Sequence, residues 1–252
     1  MVDPHASPTK DAPDISVVAP VFNEAENVGP LIAEIEAALA EQGGYEVLIV
    51  DDCSTDATSD ALAREKAARP RLRVLRHEAN AGQSRALRTG VLAARGRIIV
   101  TLDGDGQNDP ADIPRLLAQL TRPDAPSDLA MVAGQRIGRQ DRAAKRWASK
   151  AANAVRIRML GDGARDSGCG LKAFRRSAFL RAPYFDHLHR YLPAMMIREG
   201  FRVEYCDVRH RPRRFGVSKY TNWQRALVAV RDLLGVLWLT ARARSPGRIR
   251  EL

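Results

Sequence analysis

Asp103 and Asp105 stand two residues apart, directly after the apolar run Arg97 to Leu102. In an extended segment positions i and i+2 face the same way, so the two carboxylates share one side of the chain. Gly104 and Gly106 leave room for a ligand to approach closely. With the amide oxygen of Gln107 next in the same series, the segment reads as a hard-oxygen site suited to Mg²⁺ or Mn²⁺. A cation there, ligated mostly by a diphosphate, would neutralise charge on a leaving nucleoside diphosphate. The competing readings are a calcium loop and a solvated acidic turn. An EF-hand pattern fails, because its sixth position is Asn108 rather than glycine and its twelfth is Pro114 rather than glutamate. A solvated turn is common in general, but less so at the end of a strand.

Two further polar clusters follow apolar runs. Asp51 and Asp52 precede Ser54-Thr55 and could hydrogen-bond a base or ribose, or instead cap the following helix, a role that Ser54, Thr55 or Asp56 could also fill. Asn23 and Glu24 carry the same ambiguity, since Asn23 with Glu26 three residues on resembles a capping box.

The elements that must position these residues are legible as alternating periods. Ile15 to Val21 and Glu46 to Val50 are short apolar runs, Arg73 to Leu75 is a weaker third, and Arg97 to Leu102 a fourth. Between the first two, Val28, Leu31, Ile32, Ile35 and Leu39 fall on one face of a helix. Leu87, Val91 and Ala94 repeat that spacing before the fourth run. This βαβαβ order predicts an α/β fold with a mainly parallel sheet, whose ligands lie at the carboxyl ends of the strands. The polar clusters sit at those ends. After Gly134 the pattern loosens into a basic helix from Lys145 to Leu160, a short strand from Leu171 to Phe174, and a strand pair or edge from Arg202 to Val208.

The 252 residues suffice for a sizeable core, and 45% hydrophobic with 28% charged residues excludes wholesale disorder. Cys53, Cys169 and Cys206 show no paired spacing, which argues against a disulfide framework or zinc site and for a reducing compartment. Met1 to Pro13 is a polar, proline-containing stretch without the apolar core of a signal peptide, and is expected to be a disordered lead-in. The net charge of +10 is concentrated at one end: from Arg209 onward eleven lysines and arginines face only Asp232 and Glu251. Such an end suits anionic lipid, a phosphorylated substrate or nucleic acid. In the last helix Trp223, Leu227, Val230, Leu234, Leu237 and Trp238 share one face, with Arg225 and Asp232 opposite. Its uncharged stretch is too short for the ~20 residues a bilayer span needs. It fits either a helix lying in the membrane interface or one packed on the domain.

Four segments in this order, Pro20-Val-Phe-Asn-Glu24, Asp51 to Asp56, Asn80 to Gly90 and Asp103 to Gln107, resemble the family 2 glycosyltransferases of the GT-A fold. Arg165 to Gly170 and Arg214 to Tyr220 are similar to segments of the dolichyl- and polyprenyl-phosphate sugar synthases within that family. The resemblance runs from about Ile15 to Tyr220 and implies inverting transfer from a nucleotide sugar to a polyprenyl phosphate. It implies that Pro20, Glu24 and Asp52 surround the base and ribose, with Asn23 and Gly82 on the same nucleotide-sugar side. Asp103, Asp105 and Gln107 would hold metal and diphosphate, with Arg136, Ser218 and Lys219 near phosphates. Asp166 matches an acidic position near the sugar that is often proposed as catalytic. Cys53 departs from the pattern, since the family commonly has glycine there, and many relatives continue into two membrane-spanning helices.

A lipid monophosphate, with a second pKa near ~6, is already largely a dianion at neutral pH, so it needs positioning and charge compensation more than deprotonation. Arg211, Arg213, Arg214 and Lys219 form a cluster that suits a phosphate monoester, with His210 beside it. Asp166 is therefore expected to orient the sugar first and act as a base second, or else to form a loop salt bridge with Arg165 or Lys172. The expectation is a disordered lead over residues 1–13, a GT-A domain over 14–221 and a basic amphipathic element over 222–252, peripheral on the cytoplasmic face of an anionic membrane. A homo-oligomer is compatible with it, and a nucleic-acid partner is not expected. The rivals are the same donor with a soluble acceptor, a phosphotransferase with an aspartyl nucleophile, and a nucleic-acid binder using the basic end.

Overall fold

The computed structural model describes residues 13–137, 156–213 and 222–244, with the backbone alone from 222 to 227. Strands β1 (Ile15–Val21), β2 (Tyr45–Asp51), β3 (Leu72–Arg76) and β4 (Ile98–Thr101) pair in parallel, with Ile15 opposite both Tyr45 and Ile98. Helices α1 (Ala25–Ala38), α2 (Thr58–Ala68) and α3 (Gln83–Ala93) make the crossovers. The βαβαβ expectation is thus borne out. Strands β1 and β2 are covered on both faces, which is why they read as continuous apolar runs rather than alternating ones. The periodic face of α1 inserts Val28, Leu31, Ile32 and Ile35 into the core, each stabilising the fold by about 1.5–3 kcal/mol.

The second half begins with a 3₁₀ turn (Pro110–Asp112) and α4 (Ile113–Thr121), followed by β5 (Leu129–Arg136), a strand that the sequence reading did not place. Then come β6 (Lys172–Arg175), α5 (Arg176–Arg181), α6 (Leu188–Arg198), β7 (Arg202–Val208) and α7 (Asn222–Ala241). All strands join one seven-stranded sheet in the order β3-β2-β1-β4-β6-β5-β7. Strand β6 is antiparallel to both its neighbours, Lys172 lying opposite Thr101 and Ala133, while β7 runs parallel to β5 at the edge. The amino end of β6 therefore lies at the same edge as the carboxyl ends of β4 and β5. One core lies under α1 and α4, the other under α3, α5, α6 and α7.

Helix α7 is packed on the domain. Val236 is fully buried, and Leu233, Leu237 and Leu239 pack against the second core. The Tyr191 hydroxyl donates to the Ala229 carbonyl at 3.2 Å, Arg198 Nε donates to the Leu239 carbonyl at 3.0 Å, and His187 Nδ1 lies 2.9 Å from the Asp232 carboxylate. Yet Val230, Leu234 and Trp238, spaced one helical turn apart, remain 59%, 60% and 61% exposed. The face expected to be uniform is therefore split, with Leu237 turned inward and Leu234 and Trp238 outward. No helix among the described residues is long and apolar enough to cross a membrane. Residues 156–160 are helical. The remainder of the helix expected from Lys145, the lead Met1 to Ala12, the side chains of Trp223, Arg225 and Leu227, and the arginines Arg248 and Arg250 lie outside the described residues.

Candidate active site

The carboxyl ends of β1, β2 and β4 converge, and their polar residues mostly brace one another. Asn23 does not cap α1. It takes a left-handed backbone (φ 56°), its backbone N–H donates to Ser54 Oγ at 2.9 Å, and its side-chain oxygen accepts from the Thr55 N–H at 2.8 Å. The helix opens after Glu24, so the capping-box reading gives way to a tie between two loops. Glu24 is buried. Its Oε2 accepts from Asn27 Nδ2 at 2.6 Å, and Oε1 pairs with Arg213. Pro20, the penultimate residue of β1, lies opposite Val50.

Asp51 and Asp52 are both almost wholly buried. Asp51 accepts from the Ser54 N–H and the Ser59 hydroxyl at 2.9 and 2.7 Å, fixing the turn into α2. Asp52 accepts from the backbone N–H groups of Ala81 and Gly82 at 2.9 and 2.8 Å, and lies 2.7 Å from His77 Nδ1. Both of its oxygens thus anchor the loop before α3, a use that the reading of Asp52 as a base or ribose contact did not anticipate. Gly82 needs that anchor, because its φ of +85° places it where L side chains are strained. Cys53, in contrast, adopts φ 64° with a side chain attached.

Asp103 and Asp105 do lie together at the β4 end. The Asp103 backbone N–H donates to Asn108 Oδ1 at 2.9 Å, and Asp103 Oδ1 accepts from Gln83 Nε2 at 2.7 Å. Beneath the carboxylate is Gly170, where a Cβ would fall 2.4 Å from the Asp103 carboxyl carbon, so no other residue fits without displacing it. Burial, and then the charge of Asp105, push the Asp103 carboxyl up to about 6, against the pull of Lys172, Arg136 and Gln83. Two like charges held in this way fit a cation, which would relieve both the repulsion and the desolvation. Among the described residues no group of three or more His, Cys, Asp or Glu is arranged around a metal, so the amide of Gln107 and oxygens of a ligand would have to complete the shell.

Asp166 and Arg136 are brought together, which changes both expectations. Arg136 Nε and Nη2 donate to Asp166 Oδ2 and Oδ1 at 2.5 and 2.8 Å, a fork that turns the guanidinium to a carboxylate rather than leaving it for phosphate alone. The salt bridge considered for Asp166 forms, but with neither anticipated partner: Arg165 reaches Asp207 at 2.8 Å, and Lys172 is buried with Nζ donating to the Cys169 carbonyl. Burial lowers the Lys172 ammonium, and the nearby Cys169, Asp103 and Asp166 oppose that.

The arginines read as a phosphate cluster are largely matched by carboxylates. Arg211 reaches Glu34 at 2.6 Å and Asp109 at 2.5 Å, Arg213 pairs with Glu24, and Arg209 approaches Asp109 at 3.3 Å. These acids lie on or beside α1 and the 3₁₀ turn, so charge counted along the chain overstated what residues 209–213 offer a phosphate. Arg214, Ser218 and Lys219 lie outside the described residues. Sequence reasoning missed Gln83 and His77 as neighbours of the site, and took Lys172 only as a partner for Asp166. The available signal for Gln83 was a long amide directly after a glycine at a helix start.

Residues 16–181 match the family described as Glycosyl transferase family 2. The chain is 36% identical over 242 residues to a dodecaprenyl-phosphate galacturonate synthase of Rhizobium johnstonii, covering 93% of this chain and 69% of that protein. It is 34% identical over 212 residues to an undecaprenyl-phosphate 4-deoxy-4-formamido-L-arabinose transferase of Pseudomonas aeruginosa, covering 82% of this chain and 60% of the relative. The chain thus spans between 60% and 69% of the length of these curated relatives. Among solved structures, glucosyl-3-phosphoglycerate synthase of Mycobacterium tuberculosis in complex with UDP has a TM-score of 0.66 at 18% identity, covering 93% of this chain and 82% of that one. A mannosyltransferase of Pyrobaculum calidifontis in complex with GDP-Man and Mn²⁺ has a TM-score of 0.62 at 21% identity, covering 97% and 68%. Both share the GT-A fold.

Proposed function

Because the chain belongs to glycosyl transferase family 2, we propose that it transfers a sugar, with inversion, from a nucleoside-diphosphate donor to the phosphate of a polyprenyl carrier. The observation that carries this reading is the Asp103–Asp105 pair at the end of β4, held close enough for one charge to disfavour the other. The relatives named for dodecaprenyl- and undecaprenyl-phosphate supply the acceptor class. A divalent cation, Mg²⁺ or Mn²⁺, held by Asp103, Asp105 and Gln107 would supply compensation for charge on the departing diphosphate.

The chain's own residues do the rest by placement. Asp52 fixes the loop carrying Gly82, so that the start of α3 faces the end of β4. Asp166, braced by Arg136, orients the sugar rather than accepting a proton, because the incoming phosphate is already largely ionised. Pro20, Asn23 and Glu24 border the nucleotide side, and Arg211, Arg213, Arg214, Ser218 and Lys219 serve the acceptor phosphate. For Arg211 and Arg213 that role requires exchange of Glu34, Asp109 and Glu24 for phosphate. The exposed Val230, Leu234 and Trp238 stripe, with basic residues around it, supports peripheral attachment to the inner face of an anionic membrane, where the carrier lies.

The test is a panel of UDP- and GDP-sugars with polyprenyl phosphate, with and without divalent metal. Metal-dependent transfer that requires the lipid phosphate is expected. Equal transfer to a water-soluble acceptor, or activity unchanged in excess chelator, overturns the reading.

A further inference from the structure

Gln83 is the first residue of α3, and its backbone is unusually well fixed. The preceding Ala81 and Gly82 are clamped by Asp52, the Ala86 N–H donates to the Gly82 carbonyl at 3.0 Å, and Ser84 Oγ lies 2.7 Å from Nδ1 of the half-buried His189. From this rigid start the side chain is exposed, and it reaches across to Asp103 with Nε2 2.7 Å from Oδ1. A carboxylate only accepts hydrogen bonds, so the amide has one permitted orientation: nitrogen to Asp103, oxygen away from it. No described residue donates to that outward Oε1. The carboxylate it grips rests on Gly170 and cannot retreat. An exposed acceptor therefore stands beside the acid pair, one hydrogen bond from Asp103.

We propose that Gln83 is a specificity-determining residue of the donor-sugar subsite: with its Nε2 engaged by Asp103, its Oε1 accepts a hydrogen bond from a hydroxyl of the transferred sugar. The inference rests on the glycosyltransferase reading above and adds a residue that acts on the sugar, not on the nucleotide. A site built to accept from a hydroxyl discriminates steeply against ligands lacking it, because a polar group is then left without its partner.

The discriminating quantity is the affinity gained when a sugar is attached to the nucleotide. Titration calorimetry in Mn²⁺ compares UDP and GDP with their sugar conjugates, using the wild-type chain and the near-isosteric Gln83→Leu. Thermal melts of both proteins establish folding, and Gln83→Ala provides a second variant at the same exposed position. In both variants the free diphosphate is expected to bind within about twofold of wild type, while the conjugate weakens by about tenfold, as for loss of one or two hydrogen bonds. An unchanged ratio of conjugate to free diphosphate affinity overturns the role of Gln83 while leaving the site reading intact. Equal weakening of both ligands also overturns it, by showing a merely structural effect. A wild-type chain that binds none of these ligands removes the site reading, and this inference with it.

Discussion

Arg136 holds Asp166 through two parallel hydrogen bonds, Nε to Oδ2 at 2.5 Å and Nη2 to Oδ1 at 2.8 Å, across 30 residues of sequence. Both side chains are largely withdrawn from solvent, so neither charge is well solvated without the other. Asp166→Asn is expected to lower stability by roughly 1–3 kcal/mol and turnover by at least about tenfold, because the sugar-facing group loses its charge and the arginine its match. A double-mutant cycle with Arg136→Met, read by urea melts and by kcat, should give a coupling of about 1 kcal/mol or more in both. Strict additivity would show that the fork does not act as a unit.

Asp105→Ala removes one of two carboxylates and should reduce kcat/KM by about 10²–10³ with little loss of fold, since an electrostatic contribution to the departing diphosphate disappears. Steady-state assays across a metal titration check this. A defect fully rescued by excess metal would place the whole effect on metal affinity.

The raised carboxyl of Asp103 has a definite consequence for pH. Its folded value of about 6 lies above the ordinary value near 4, so the folded, metal-free protein binds more protons than the unfolded chain between these limits. Stability contributed by this group is fully present below about pH 4 and is lost as pH rises through about 6, by roughly 1–3 kcal/mol. Asp103→Asn should flatten that segment of the pH–stability curve, measured by denaturant melts without metal. Added Mn²⁺ should restore stability at neutral pH.

Cys53 sits at φ 64°, in a region that costs a side-chain-bearing residue about 1–2 kcal/mol. Its thiol makes a weak contact to the Glu78 carbonyl at 3.4 Å. Cys53→Gly is therefore expected to raise stability by about 0.5–1 kcal/mol, the glycine's extra unfolded-state freedom offsetting part of the relief. Calorimetric Tm measures it, and donor affinity should hold.

Leu234→Glu combined with Trp238→Glu changes outward-facing residues only. The pair should cut co-sedimentation with anionic vesicles by more than about tenfold, since each apolar side chain buried in lipid is worth about 1.5–3 kcal/mol. Melting temperature should be unaltered. Undiminished vesicle binding would detach α7 from the membrane reading.

How far the fold was legible follows from what kind of signal each element left. Strands β1, β2 and β4 announced themselves because polar clusters follow their apolar runs, and α1 because Val28 to Ile35 keep a helical period. Strand β5 was overlooked because Leu129 to Arg136, buried almost throughout, has no alternation and little punctuation. The reversal of β6 is decided by pairing to β4 and β5, which no local pattern encodes. Within the site, Asp103 and Asp105 were readable from spacing alone. Arg211 and Arg213 were not, since their partners Glu34 and Glu24 lie 177 and 189 residues away. Asn23 satisfied a local capping pattern and was recruited instead by Thr55, a competitor 32 residues distant.

The reversed β6 also sets a rule for how this pocket can diversify. Around an all-parallel sheet every loop at the reactive edge departs from a strand, and its first residues inherit that strand's direction. Here the stretch from Asp166 to Gly170 arrives at its strand, so its length is unconstrained by the register of Lys172 against Thr101 and Ala133. Relatives that handle bulkier or smaller sugars are expected to differ in this approach segment while keeping the acid pair and its glycine seat in place.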